Sequence, residues 1–148
     1  MANKRIFRSQ RAPQAKGPYS QAVTHRGLLY VSGQIPVDPA TGAPVRATIE
    51  EETDLTLNNL KLIVEEAGSK MDDVLKVTCY LADIEDFPRF NEVYAKHFPQ
   101  FPPARTTIQA GKLPLDVQVE IDAIVALPYK KPARTTNRPR KNTGENSG

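Results

Sequence analysis

An unbroken alternation of apolar and polar side chains in residues 117–127 restricts the fold more than any other feature of the chain. One face of this segment carries only apolar side chains, namely Val117, Val119, Ile121, Ala123, Val125 and Leu127. The other face carries Gln118, Glu120, Asp122, Ile124 and Ala126. Because successive side chains of a strand point to opposite faces, the pattern predicts a strand in a sheet whose one face lies on an apolar core.

Two segments with helical periodicity can supply the layer that covers this face. The first follows Thr48 and Glu51, which are spaced as a capping box, and it ends before Gly68. The second begins near Asp86 and carries an aromatic stripe at helical spacing, formed by Phe87, Phe90, Tyr94 and Phe98. Both segments are therefore predicted to be amphipathic helices.

Five further segments have strand character: residues 4–9, 21–25, 28–34, 74–82 and 104–110. The pair Arg26-Gly27 between the second and third of them indicates a hairpin. The order of three strands, helix, strand, helix and two strands predicts an α+β sandwich, a mixed sheet with two helices packed on one face. Because no third helix is predicted, we expect self-association to cover the opposite face of the sheet.

The basic residues are concentrated at the two ends of the chain. The 148 residues have a net charge of +3, but residues 1–16 and residues 129–148 each carry +5, and residues 17–128 carry −7. We therefore do not expect the folded body to bind nucleic acid. Residues 129–148 have no aliphatic side chain larger than alanine. This composition predicts a domain at 1–128 and a basic disordered tail, 129–148, which is either a solubilising extension or an electrostatic arm for an anionic partner.

Several classes of protein are excluded or disfavoured by what the sequence lacks. A single cysteine, Cys79, excludes an intramolecular disulfide and a multi-cysteine metal cluster, and it suits a reducing compartment. No run approaches the roughly 18 apolar residues of a membrane span, and no secretory signal is visible, so we expect a cytoplasmic protein without membrane contact. His25 and His97 have no obvious partners, so both are expected to be surface or helix-terminal residues.

Three polar residues occupy positions that a simple packing pattern does not explain. Asn91 lies beside the aromatic stripe, Arg105 opens a strand, and Glu120 lies in the middle of one. From the pattern alone, Arg105 and Glu120 are best interpreted as a structural ion pair across neighbouring strands, and Asn91 as a surface amide or a cap. A binding or catalytic role for the three residues stays open at this point.

Taken together, seven groups of residues resemble the RidA family (reactive intermediate deaminase A, also called YjgF). They occur in the family's order with near-constant spacing and extend over nearly the whole chain up to residue 127. They are Gly17-Pro18-Tyr19-Ser20-Gln21-Ala22, Val31-Ser32-Gly33-Gln34-Ile35-Pro36, Asn59-Leu60 with Ala67-Gly68, Val74-Leu75-Lys76-Val77-Thr78, Asp86-Phe87 through Asn91 and Tyr94, Phe101-Pro102-Pro103-Ala104-Arg105-Thr106-Thr107, and Leu113-Pro114 with Val119-Glu120-Ile121.

The resemblance implies a chorismate-mutase-like α+β fold and a homotrimer whose sites lie in clefts between subunits. It also implies an enzyme of the 2-iminobutanoate/2-iminopropanoate deaminase type. Such an enzyme hydrolyses enamines and imines, for example 2-aminoacrylate, to 2-keto acids and ammonia. The implied substrate is a small carboxylate, and no cofactor or metal is expected.

The resemblance implies catalytic roles for two residues. Arg105 matches the arginine that binds the substrate carboxylate, for which a planar guanidinium can make two parallel hydrogen bonds. Glu120 matches the carboxylate that orients the attacking water. General acid–base help of this kind is typically worth about 10²–10⁴-fold in rate.

Five further residues are expected to contact the substrate. Tyr19, Ser32 and Asn91 match residues that line the cleft, and Gly33 matches a backbone position close to the ligand. Thr107 stands where many family members have cysteine. Whether this departure matters depends on whether the side chain or only the backbone contacts the ligand.

Two alternatives remain beside the deaminase. One is a translation-inhibiting ribonuclease or RNA-binding protein, which the two basic ends would assist through their charge. The other is a non-catalytic, metabolite-binding or chaperone-like module that holds a ligand in the cleft without turnover.

Overall fold

The computed structural model describes residues 3–131. Residues 129–131 belong to no helix or strand, and Tyr129 is largely exposed. The greater part of the predicted tail, residues 132–148, lies outside the described residues. The two helices of the described part are not long and apolar enough to cross a membrane.

Every predicted strand and helix is present, with ends that shift by a few residues. The strands are β1 (Arg5–Phe7), β2 (Ala22–His25), β3 (Leu28–Gln34), β4 (Val74–Leu81), β5 (Ala104–Gln109) and β6 (Val119–Ala126). The helices are α1 (Ile49–Glu66) and α2 (Phe87–His97). Single 3₁₀ turns precede β4, α2 and β6 at Met71–Asp73, Ile84–Asp86 and Pro114–Asp116.

The six strands form one mixed sheet in the order β1-β2-β3-β6-β4-β5. All neighbouring strands are antiparallel except β4 and β5, which are parallel. The predicted hairpin joins β2 to β3, and Arg26 and Gly27 both have positive φ, as the tight turns that match the twist of two strands require. The strand with the strictest alternation, β6, lies in the interior of the sheet, where one face is fully covered.

The beginning and end of α1 follow from local sequence. The Thr48 hydroxyl accepts a hydrogen bond from the backbone N–H of Glu51, and the Glu51 carboxylate accepts one from the backbone N–H of Thr48. This is the predicted capping box. Gly68 has φ +90° just after the helix, a conformation that glycine adopts without the steric cost of a Cβ atom.

Both helices pack on the same face of the sheet, as predicted. The core contains Leu57, Leu60, Ile63 and Val64 of α1, the aromatic residues of α2, and the inward side chains of β3, β4 and β6. The sheet contributes Leu29, Val31, Val77, Cys79, Leu81, Val119, Ile121, Ala123 and Val125. Cys79 is a small, fully buried residue of this core.

The opposite face of the sheet, here called the outer face, is not covered by any other element among residues 3–131. Tyr30 and Ile108 on this face are exposed, to 39% and 45% of their surface. Tyr80 and Ile124 are half-buried there. The outer face is thus the surface on which self-association is expected.

Asn59 of α1 provides a test of the packing that holds the segment after β3. Its buried side chain donates hydrogen bonds to the carbonyls of Ile35 and Val37, at 3.2 and 2.9 Å. We expect Asn59→Ala to lower the free energy of unfolding by about 1–3 kcal/mol, because two carbonyls lose their partner. Urea denaturation at a fixed protomer concentration measures the change.

Asn58 is the matched control, because its exposed amide bonds only to Asp54 within the same helix. Asn58→Ala is expected to change the stability by no more than about 0.5 kcal/mol. Equal losses in the two variants would contradict the role given to Asn59.

Candidate active site

Arg105 lies on β5 and points to the helix side of the sheet. In the parallel pairing of β4 and β5, Arg105 is opposite Val77 and Thr107 is opposite Cys79. Because paired residues share a face and both β4 residues are buried in the core, Arg105 and Thr107 face α2.

The guanidinium of Arg105 is held by four residues of α2. Its carbon lies 5.3 Å from the ring centre of Phe87, 5.7 Å from that of Phe90 and 4.5 Å from that of Tyr94. Its Nη1 donates a hydrogen bond of 2.8 Å to Oδ1 of Asn91. The four α2 residues are spaced at i, i+3, i+4 and i+7, so they form one face of the helix. We call this group of rings and amide the arginine cradle.

The charge of Arg105 has no counterion among residues 3–131. None of the ion pairs in this part of the chain involves Arg105. A guanidinium has five N–H donors in a planar fork, and Asn91 takes one of them. An open groove of about 550 Å³ exposes the guanidinium, between α2 and the segment that contains Pro102 and Pro103. The remaining donors of this guanidinium can therefore bind a carboxylate.

Thr107 and Cys79 lie below Arg105 on the same side of the sheet. The Thr107 hydroxyl is buried and has no hydrogen-bond partner within the described residues. Burial raises the pKa of the Cys79 thiol to about 12. Since the thiolate is the reactive form, this shift disfavours reaction of Cys79.

Glu120 lies on β6 and points to the outer face, where it rests against Gly33. The register of β3 and β6 shifts between Val31 and Gln34, and this irregularity places Gly33 beside Glu120. A Cβ atom at Gly33 would overlap Oε1 of Glu120. Only glycine leaves room for the carboxylate in this position, which explains why the sequence has glycine there.

The charge of Glu120 is also without a counterion among the described residues. Burial raises the pKa of the Glu120 carboxyl, and the like charge of Asp122, two residues further along the same face, raises it further. Both effects disfavour the ionised form. A carboxyl whose pKa is moved towards neutrality is suited to exchange a proton with a water.

Ser32 and Tyr19 complete the surroundings of Gly33. The Ser32 hydroxyl donates a hydrogen bond of 2.6 Å to the carbonyl of Ser20, which fixes the segment before β2 to β3. The Tyr19 ring is 54% exposed and lines the same cavity as Gly33. Tyr19, Ser32, Gly33 and Glu120 are here called the glutamate group.

The structure therefore sorts the seven expected site residues into two groups. Arg105, Asn91 and Thr107 lie at the helix side of β5, and the glutamate group lies at the outer face and the end of β3. In one chain, Arg105 and Glu120 point to opposite faces of the sheet, and β4 separates their strands. The interpretation of these two residues as an ion pair across neighbouring strands is therefore wrong.

The aromatic stripe makes a second set of contacts that its sequence pattern did not predict. Phe87, Phe90 and Tyr94 were predicted as core residues, and they do pack in the core, but they also contact the guanidinium of Arg105. The sequence feature that could have indicated these contacts is the polar side chain of Asn91 on the same helix face. His97 is helix-terminal, as predicted, because it is the last residue of α2, and its ring is bonded to Asp54 at 2.7 Å.

The described residues contain no group of three or more His, Cys, Asp and Glu side chains that could hold a metal ion. The guanidinium of Arg105 can bind a small anion through hydrogen bonds, and the carboxyl of Glu120 can exchange a proton with a water.

Comparison with known proteins identifies the family. Residues 9–127 match the family model described as Endoribonuclease L-PSP. A RutC family protein of Saccharolobus solfataricus is 50% identical over 121 residues, 82% of this chain and 96% of that protein. The chloroplastic Reactive Intermediate Deaminase A of Arabidopsis thaliana is 40% identical over 124 residues, 84% of this chain and 66% of that protein.

A solved structure agrees with this assignment. TdcF of Escherichia coli, which is named as a reactive intermediate deaminase, is 42% identical over 82% of this chain and 95% of its own length. The crystal structure of TdcF with bound serine aligns to this chain with a TM-score of 0.79. The alignment covers 84% of this chain and 99% of the TdcF chain. The fold is thus the chorismate-mutase-like α+β fold that the resemblance implied, and the chain belongs to the RidA family of reactive intermediate deaminases.

Proposed function

We propose that this protein hydrolyses reactive enamines and imines of amino acids, such as 2-aminoacrylate, to 2-keto acids and ammonia. The observation that carries the proposal is the half-buried guanidinium of Arg105, which lies in a cradle of rings and an amide and has no counterion within the described residues. Every such substrate carries a carboxylate next to its C–N bond. The serine bound in the TdcF crystal structure is also a small molecule with a carboxylate and a nitrogen on the next carbon.

The proposed site is composite and forms between copies of the chain in a homotrimer. Arg105 and Glu120 lie on opposite faces of one sheet, so one reaction centre needs Arg105 from one copy and Glu120 from the next. A twofold dimer joins identical patches, whereas a closed ring joins two different patches of each subunit. The two separate groups of site residues thus favour a ring, and the exposed Tyr30 and Ile108 give its interface apolar area.

The proposed reaction starts with the substrate carboxylate on the fork of Arg105. A proton from the solvent first adds to the terminal carbon of the enamine, which gives the iminium form. The oxygen of a water held by Glu120 then bonds to the iminium carbon, and Glu120 takes a proton from that water. The carbinolamine receives this proton on nitrogen, the C–N bond breaks with release of ammonia, and the hydroxyl returns its proton to the solvent as it becomes the keto group.

The required catalysis is modest because free imines already hydrolyse in water. Orientation by Arg105 and proton transfer by Glu120 are sufficient, and general acid–base catalysis typically contributes about 10²–10⁴-fold. The raised pKa of Glu120 improves this transfer, since a base is most effective when its pKa is close to the working pH.

Ribonuclease activity is a second candidate, because the matching family model is described as Endoribonuclease L-PSP. The geometry of the described residues favours the deaminase over this alternative. His97 lies on α2 and is bonded to Asp54, whereas His25 is the last residue of β2 in the sheet. The two histidines therefore do not form an acid–base pair. The non-catalytic module is the remaining alternative, and binding of a keto acid without ammonia release from any imine would support it.

Removal of the guanidinium tests the proposal. Arg105→Ala is expected to lower kcat/KM for 2-aminoacrylate by at least about 100-fold, because two charge-assisted hydrogen bonds are lost. Arg105→Lys is expected to lose activity as well, since an ammonium cannot reproduce the planar fork. Keto-acid formation from a freshly generated enamine measures the rates.

Arg89 is the matched control, because its guanidinium pairs with Glu50 on the surface and not with any site residue. Arg89→Ala is expected to keep full deaminase activity, and all three variants are expected to keep the oligomer mass of the wild type. Full activity of Arg105→Ala would refute the assignment.

The proposed role of Glu120 predicts a specific effect on kcat and on its pH profile. Glu120→Gln is expected to lower kcat by about 10²–10⁴-fold with little change in KM, since the amide cannot take a proton from water. In the wild type, the pH profile of kcat should fall on the acid side as Glu120 becomes protonated. This acid limb lies above the usual range of a glutamate because the pKa of Glu120 is raised.

Asp122→Asn is the companion variant. Removal of the like charge lowers the pKa of Glu120, so the acid limb should move to lower pH while the reaction persists. An unchanged kcat in Glu120→Gln, or an acid limb that persists in that variant, would remove Glu120 from the mechanism.

A further inference from the structure

A cavity of about 450 Å³ adjoins the glutamate group. Gly33, against which Glu120 rests, and Tyr19 both line it. The cavity extends away from them between the segment before β2, the segment after β3 and the turn before β6. Its apolar wall consists of Pro13, Ile35, Val37, Pro44, Pro114 and Leu115.

The polar side chains around the cavity are already occupied by the main chain. The amide of Gln21 bonds to the N–H of Ser9 and the carbonyl of Pro13. The amide of Gln34 donates to the carbonyl of Ser32. Among the described residues, no acidic side chain lines the cavity, and the one basic side chain there, Lys16, donates to the carbonyl of Gly42. Because these groups are engaged, the surface offered to a ligand is mainly apolar.

Leu115, one residue of this wall, has an energetically unfavourable backbone conformation. It has φ +55° and ψ 21°, and Asp116 has φ +55°, so two successive non-glycine residues are left-handed. This backbone conformation costs free energy in residues with a side chain, and strained conformations of this kind cluster at active sites and ligand sites. The turn places a leucine side chain at the cavity wall with 53% of its surface exposed.

We infer that this cavity receives the side chain of the substrate and that Leu115 gives the enzyme a preference for imines with branched or long apolar side chains. The inference rests on the proposed function, which puts the reacting carbon beside Glu120 and Gly33. The cavity has the size of pockets that take small organic ligands, about 300–1,000 Å³, and a three-carbon enamine would leave most of it unfilled. A leucine-like side chain would exclude water from the apolar wall.

The test compares two imines that differ only in side-chain size. The imines of leucine and alanine are generated in situ by an amino-acid oxidase, and kcat/KM is measured for each with the full-length protein. The wild type is expected to prefer the leucine imine. Leu115→Ala is expected to lower the ratio of the two kcat/KM values by about 10-fold or more, as loss of apolar contacts in a pocket does.

Two further variants serve as controls. Leu115→Met keeps the size of the side chain and is expected to keep the ratio. Leu75 on β4 is equally exposed, at 48%, and does not line the cavity, so Leu75→Ala is expected to leave both rates unchanged. An unchanged ratio in Leu115→Ala, or the same loss in Leu75→Ala, would overturn the inference.

A binding measurement separates this inference from the proposed function. Calorimetry with 4-methyl-2-oxopentanoate and pyruvate compares a branched and a small keto acid without any catalysis. If the protein hydrolyses neither imine, the proposed function fails. Tighter binding of the branched acid that is lost in Leu115→Ala would still support the cavity assignment, and equal binding of the two acids would overturn it.

Discussion

The proposed function depends on the guanidinium of Arg105, which has no counterion among residues 3–131. The guanidinium of Arg105 is half-buried, and the helix beside it offers three aromatic faces and one amide instead of a carboxylate. Cation–π contacts of this kind contribute about 0.5–2 kcal/mol each, so they hold the cation without neutralising it. The donors that remain are free for an anion from outside, and a small organic acid has the matching geometry.

The order of the strands in the sheet determines which side chains of the same chain lie near Arg105. Because β4 lies between β5 and β6, Arg105 and Glu120 are not neighbours, and the alternation of each strand sends them to opposite faces. In the proposed composite site, the chain contributes one half of a site at each of two surfaces. Each half contains a charge that has no counterion within residues 3–131, and the proposed ring of identical chains would bring the two halves together.

Local patterns predicted the elements but not their assembly. The alternation around Glu120 fixed which side chains face the core, and Thr48 and Glu51 predicted the start of α1, because such signals depend on neighbouring residues alone. The sheet order depends on contacts far apart in sequence, and it overturned the ion pair expected for Arg105. The importance of Gly33 came from the family resemblance, since its contact with Glu120 arises from an irregularity in strand register that no local pattern reveals.

The most direct test of the composite site mixes two inactive variants. Arg105→Ala and Glu120→Gln chains are unfolded together, refolded in equal amounts, and assayed for deamination of 2-aminoacrylate. If each site combines Arg105 of one copy with Glu120 of another, random assembly into trimers gives about a quarter of the sites both intact groups, and about a quarter of the wild-type activity returns. If the mixture stays as inactive as its two components, the two groups do not meet between copies, and the account is contradicted.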